Sequence, residues 1–360
     1  MSIFNGEGLR LEIYGGSHEK EIGVRISGIP KGTEIDEREL AEFMARRAPG
    51  KDEYSTPRKE ADAVEFICGV RDGVCTGEQI HAVIRSNNTR SSDYAKFSDV
   101  PRPSHADYVA SVKYGGSVNM SGGGPFSGRM TAPLCIAGGI ALQALKKKGI
   151  TVGAHLYSVG AERDASFDLC DVDADTLQEI KKKPFPVLDT AAGERMGEEI
   201  LKAKAEGDSI GAVIECAAVG LPVGLGGPLF EGIESRISAL AFGVGAVRGI
   251  EFGLGFAAAG MRGSVHNDPF IIKDGKIATK TNNAGGIVGG ITNGMPVVFR
   301  VAMKPTPSIA REQDSVSISR MQPEKLTIVG RHDPCVAVRA VPVFEAVAAL
   351  AILDAIGQEN

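Results

Sequence analysis

The sequence predicts an α+β fold in which Ala/Gly-rich helices form a buried layer flanked by β-sheets. Three observations predict it. Segments 131–147 (TAPLCIAGGIALQALKK), 234–247 (ESRISALAFGVGAV) and 342–356 are helix-like runs dominated by small apolar residues. A helix that is apolar nearly all round is buried, and its Ala and Gly let other backbones come close. Short runs such as LRLEIY (9–14) and IGVRIS (22–27) alternate as strands do. The elements do not follow a clean βαβαβα order, which argues against a doubly wound parallel sheet.

The elements follow in order. The strand 9–14 ends at Gly15-Gly16, and the strand 22–27 is stopped by Gly28, Pro30 and Gly32. Residues 36–47 (DERELAEFMARR) predict a helix capped by Asp36, with Leu40, Phe43 and Met44 on one face. A polar loop covers 48–60, and strands are expected at 63–70 and 79–85. The segment 86–107 is long, polar and aperiodic, and it carries Arg90, Arg102 and His105; such loops are functional or disordered. Further strands are expected at 150–159, 210–219, 248–256 and 295–303, and surface helices at 174–182 and 190–206. A Gly-rich loop, an Ala/Gly helix and a strand occur around 122–159 and again around 224–256, so residues 1–360 read as one domain with an internal pseudo-repeat.

Composition narrows the function. The chain has 360 residues and a net charge of −5, which predicts no general affinity for nucleic acid or for an anionic membrane surface. Its six cysteines form no CxxC pair, which suits a reducing compartment. The first residues show no basic stretch leading into an apolar one, so a cytoplasmic setting is expected. There is no HExxH and no close His/Cys/Asp cluster, so no metal is expected.

Three themes carry the chemistry. His18, His105 and His332 lie in turns marked by glycine, proline or charge, whereas His81 and His155 lie inside strands. Histidines in turns suit proton transfer near neutral pH. Arginines at 46, 47, 58, 90, 102, 129, 311, 331 and 339 fall in loops or at element ends, where guanidinium groups can grip phosphate or carboxylate. The run SGGGPFSGRMTA (121–132) opens a helix, and KPTPSI (304–309) follows a strand; free backbone N–H groups there can meet an anion. Asp333 has three readings: a helix cap, a salt bridge with Arg331, or a positioned proton acceptor.

Blocks along nearly the whole chain resemble the chorismate synthase family. They are GGSHEKEIGVRISGIPKG (15–32), RRAPG (46–50), TPRKEADAVEFICGV (56–70), NNTRSSDY (87–94), RPSHAD (102–107) and GGGPFSGRMTA (122–132). GSVHND (263–268), NNAGGIVGGITNG (282–294), KPTPSI (304–309) and GRHDPCVAVRAVPVFEA (330–346) complete the set. The resemblance implies anti-1,4-elimination of phosphate from 5-enolpyruvylshikimate 3-phosphate, with reduced FMN required but no net redox change. It also implies a β-α-β sandwich and a homotetramer. The flavin would be reduced by a separate reductase or by NADPH; the chain has no GxGxxG fingerprint, which favours a separate source.

By the same resemblance His18 stands on the phosphate side, His105 at the flavin, and Asp333 with flavin N5. Ser17, Ser127, Arg46, Arg102, Arg129 and Arg331 match groups around the substrate. Ser127, Gly128, Asn283, Gly286, Lys304, Thr306, Pro307, Ser308 and Arg331 are expected at the cofactor. The chain departs from the family at Gly16, Glu19, Glu53, Ser104, Pro125, Phe126 and Met130. Some of these replace charged or polar groups, so a non-catalytic anion-binding homologue and another flavin-dependent oxidoreductase remain alternatives.

Overall fold

The computed structural model describes residues 1–50, 53–56, 62–86, 97–328, 330 and 332–357. Two antiparallel five-stranded sheets dominate it. The first contains β1 (Ser2–Asn5), β2 (Arg10–Gly15), β3 (Glu21–Ser27), β4 (Glu65–Cys68) and β5 (Ile80–Arg85), in the order β1-β2-β3-β5-β4. Register explains why one face is buried. Ile22 pairs with Ile84, Val24 with Ala82 and Ile26 with Ile80. All six are buried, because residues two apart on a strand share a face.

The second sheet contains β6 (Thr151–Val159), β7 (Glu162–Arg163), β8 (Ala212–Val219), β9 (Val247–Phe252) and β10 (Val297–Met303), in the order β9-β10-β8-β6-β7. The helices are α1 (Glu37–Arg47), α2 (Asp107–Tyr114), α3 (Thr131–Lys146), α4 (Ala174–Lys182), α5 (Thr190–Ala205), α6 (Ile233–Gly243) and α7 (Ala337–Gly357), with a single turn at Gly263–His266. α3 packs on β3 and β5 of the first sheet, α7 on β6 and β8 of the second, and α3 and α7 on each other.

Small residues make that inner contact possible. A methyl group added at Gly138 would lie 2.1 Å from Cβ of Ala346, and one at Gly139 would lie 2.5 Å from Leu40 Cδ1. Any larger residue at either glycine would force α3 off α7 or α1. α7 is the one helix among the described residues long and apolar enough to cross a membrane, and it is buried in the core.

The structure corrects several element boundaries. α7 starts at Ala337 and continues through Pro342, although a proline removes one helical hydrogen bond. Its fully buried neighbours Val341, Val343 and Phe344 hold the helix through that position. The strand expected over 63–70 breaks at Gly69 (φ 84°). The strand expected over 248–256 stops at Phe252, where Gly253 (φ 55°) turns the chain.

Candidate active site

The site is built around the loop that precedes α3. Gly122 (φ 64°), Gly123 (φ 92°) and Gly124 (φ 51°, ψ −129°) all have left-handed or otherwise glycine-favouring backbone. Their missing side chains make room for two histidines. A Cβ at Gly122 would lie 2.2 Å from both Nδ1 and Cε1 of His18 and 2.8 Å from Ser17 Oγ. A Cβ at Gly123 would lie 3.3 Å from Nε2 of His105 and 3.6 Å from Cβ of Ser127. The Ser17 amide donates to the Gly124 carbonyl (3.3 Å). Thus His18, Ser17, His105 and Ser127, far apart in sequence, meet on adjacent glycines. Ser127 then accepts from the Arg129 amide (3.3 Å) at the turn into α3.

Behind His105 lies a buried ion cluster. Arg102 donates through Nε and Nη2 to the two oxygens of Asp107, each at 2.8 Å, and its amide also donates to Asp107 (3.0 Å). Nδ1 of His105 lies 2.8 Å from Oδ1 of the same carboxylate. Arg102 further donates to Ser308 Oγ (3.3 Å) and stands over the Phe97 ring at 4.7 Å. Burial alone would raise the Asp107 carboxyl, but Arg102 and His105 overcome it and hold it well below the usual carboxylate range.

The KPTPSI turn joins this cluster. Lys304 donates from Nζ to the Ser104 carbonyl (3.0 Å), and its amide donates to Ala246 (2.9 Å). Burial, followed by the nearby Arg248, lowers the Lys304 ammonium from its ordinary value. Thr306 has a buried hydroxyl with no partner among the described residues, and its carbonyl accepts from Ser209 (2.7 Å). Pro307 lies between Thr306 and the buried Ser308.

Asp333 reaches the same region from the turn before α7. Its Oδ1 accepts from the Thr56 amide (2.8 Å) and its Oδ2 pairs with Arg339 Nη1 (2.7 Å). Among the described residues its ion-pair partner is Arg339; Arg331 lies outside them, as do Arg58 and Arg90. His332 is pushed down to about 4, first by burial and then by the positive field of Arg102, with Asp333 opposing. His105 acts in the same direction as Arg102, which ties the 332–333 turn electrostatically to the 102–105 turn.

A third group lies at the start of α3. Asp62 accepts from Arg129 Nη1 (2.5 Å) and pairs with Arg47 Nη1. Burial would raise Asp62, yet Arg47 and Arg129 together hold it below its ordinary value. Arg47 also donates to Thr131 Oγ1 (3.1 Å) and to the Gly128 carbonyl (3.3 Å), which puts Gly128 beside the same group.

Three residues expected at the site do not join the cluster. Arg46 turns to the fully buried Glu345 of α7, with contacts of 2.6 and 2.8 Å. Its neighbour Arg47 takes the place facing Arg129, since Leu40, Phe43, Met44 and Arg47 form the buried face of α1. Asn283 and Gly286 also lie elsewhere. Asn283 donates to the His266 carbonyl (2.8 Å), and Gly285 accepts from Val298 at the start of β10. Lys304 follows the other end of that strand, Val297–Met303, about 20 Å away at some 3.3 Å per residue. Asp107 and Asp62 are the additions that sequence reasoning missed; Arg47 and Arg339 stood only among the candidate anion-gripping arginines and had no place assigned in the site. The helical spacing of Arg47 from Leu40, Phe43 and Met44 is the signal that could have separated it from Arg46.

A family model described as chorismate synthase matches residues 9–356. The chorismate synthase of Lancefieldella parvula is 43% identical, covering 98% of this chain and 96% of its own length. That of Korarchaeum cryptofilum is 43% identical, covering 97% of this chain and 96% of its own length. A crystal structure of a chorismate synthase is similar in fold, with a TM-score of 0.78 and 26% identity over 99% of this chain and 93% of that one. Fold and relatives together define a phosphate-eliminating lyase. The chain belongs to the chorismate synthase family.

Proposed function

We propose that this protein converts 5-enolpyruvylshikimate 3-phosphate to chorismate and inorganic phosphate by anti-1,4-elimination, with reduced FMN bound and no net redox change. The observation that carries the proposal is the convergence of His18 and His105 on adjacent glycines of one loop. The donor set fits the cofactor as well. Lys304, Ser308 and the buried hydroxyl of Thr306, unpartnered among the described residues, occupy one turn beside Arg102, which suits a phosphate-bearing ligand. A reduced FMN held there would supply electron density to the allylic system without being consumed, in keeping with a substrate and product of the same oxidation level.

The chain's own residues do the rest. Ser17, Ser127, Arg102 and Arg129 hold the anionic groups, with Arg47 beside Arg129 through Asp62. Donors already aimed at the departing phosphate lower the barrier, because its charge grows as the C–O bond breaks. His18 serves the leaving phosphate, His105 holds a proton at the cofactor, and Asp333 receives the ring proton. The Asp333 carboxylate is kept in place by the Thr56 amide and Arg339.

The finer fold reading is a single-domain β-α-β sandwich, supported by α3 on one sheet and α7 on the other. The units α3–β6 and α6–β9 both feed the second sheet, which supports the internal pseudo-repeat. Leu229, Phe230, Phe256 and Phe270 are each at least 79% exposed, and apolar surface of that extent favours assembly into the homotetramer. Cytoplasmic placement and reduction of the flavin by a separate reductase complete the reading.

The departures motivate one alternative, a non-catalytic homologue. Pro125, Phe126 and Met130 stand on or beside the glycine loop itself, and Phe126 is partly exposed near Tyr114 (6.4 Å between ring centroids). Phosphate release from the substrate, measured with and without photoreduced FMN, separates the readings. The proposal requires release that depends on the reduced cofactor and is lost in His18→Ala and His105→Ala; a folded tetramer that releases none favours the alternative.

A further inference from the structure

We propose that Asp107 is a positioning residue that locks the neutral form of His105 in the tautomer with the proton on Nδ1, leaving Nε2 toward the glycine loop as the atom that takes up and releases a proton. The inference rests on the reading of His105 given above. Among the described residues, Arg102 and Asp107 meet Nδ1 of the imidazole and Gly123 lies against its Nε2 side. Asp107 is the first residue of α2 and is 7% exposed, and Arg102 is 4% exposed.

Two polar neighbours compete for Nδ1. Asp107 Oδ1 lies 2.8 Å away and Arg102 Nη2 lies 3.1 Å away. A carboxylate oxygen only accepts, and a guanidinium only donates. If Nδ1 accepted from Arg102, its lone pair would face the Asp107 oxygen at 2.8 Å in a buried site, and the two would repel. If Nδ1 carries the proton, Oδ1 accepts from both His105 and Arg102, which lies 2.8 Å from it. The second arrangement satisfies all three groups that meet at Nδ1, and buried polar groups are found satisfied. The free Nε2 is then the ring atom that faces Gly123. The orienting carboxylate thus decides which nitrogen does the work.

The test is nitrogen NMR of the full-length protein labelled at histidine, with turnover measured in parallel. In its neutral form the wild-type His105 should carry its proton on Nδ1, with Nε2 bare. In Asp107→Asn the amide carbonyl turns to Arg102 and the NH2 toward His105. The tautomer should therefore reverse, and kcat should fall about 10²-fold with a smaller change in KM. Asp107→Glu should keep the wild-type tautomer and recover part of kcat. A neutral wild-type His105 with its proton on Nε2 overturns the proposal even if no variant folds. So does Asp107→Asn with an unchanged tautomer, or with a reversed tautomer and full kcat. If His105→Gln turned over normally while the tautomer results held, the role given to His105 would fail and the effect of Asp107 would stand.

Discussion

Gly122→Ala is the sharpest perturbation of the site, because its size can be worked from the geometry. The added Cβ would sit 2.2 Å from two atoms of the His18 ring. Ordinary contact begins near 3.4 Å, so the ring must retreat by about 1.2 Å or the loop must move. Backbone strain adds to this: φ is +64°, and an L-residue there costs about 1–2 kcal/mol. A displacement of about 1 Å in a positioned group costs on the order of 10²-fold in rate. Gly123→Ala separates the two effects. Its φ is +92°, but its Cβ would meet His105 no closer than 3.3 Å. Both variants carry the left-handed backbone cost, while Gly122→Ala alone carries the clash and should lose more stability and far more kcat. Gly260→Ala, which points into open space, is the control. Steady-state phosphate release and thermal midpoints read both quantities. Gly122→Ala with wild-type kcat would refute the packing of His18 against this loop.

Three further outcomes follow from the same structure. Arg46→Met should lower stability by about 3–5 kcal/mol, because it strands the fully buried Glu345 carboxylate; urea titration showing less than about 1 kcal/mol would place that pair in solvent instead. His155 is fully buried between Asp164 (3.0 Å) and Glu215 (2.9 Å). Burial would lower it, but the two carboxylates win and raise it above 6.5. Its stabilisation should therefore be complete below about pH 6.5 and decline as pH rises through the raised folded value, a slope that urea titrations of His155→Asn should lack. Asp333→Asn should lower kcat by about 10²–10⁴-fold with a small change in KM; unchanged turnover would remove Asp333 from proton transfer.

Much of the fold was legible because periodicity reports burial. The helix read at 36–47 appears as Glu37–Arg47 and that at 131–147 as Thr131–Lys146, while strands at 22–27 and 150–159 hold within a residue. The hairpins Phe270–Lys273 with Lys276–Thr279 and Gln313–Ser317 with Gln322–Leu326 were not anticipated. The first exposes Phe270 and Ile272, and the second joins polar strands, so neither shows the alternation that marks a half-buried strand.

The site was legible as a set of turns, not as partners. Glycine runs and turn histidines pointed to His18, His105 and the 121–132 loop. The pairing of Arg129 and Arg47 with Asp62 is tertiary, and the pairs Arg102–Asp107 and Asp333–Arg339, though close in sequence, depend on turn geometry that periodicity does not report. Arg46 and Arg47 show the difficulty most plainly. They are adjacent and identical, yet successive helical positions point about 100° apart, so one meets Glu345 and the other Asp62.

The most direct measurement is the stoichiometry of one anaerobic turnover series with photoreduced FMN and 5-enolpyruvylshikimate 3-phosphate. The account predicts equal amounts of chorismate and phosphate, with the flavin still reduced at the end and no reducing equivalents consumed. Flavin oxidised in proportion to product, or phosphate released without chorismate, would contradict it.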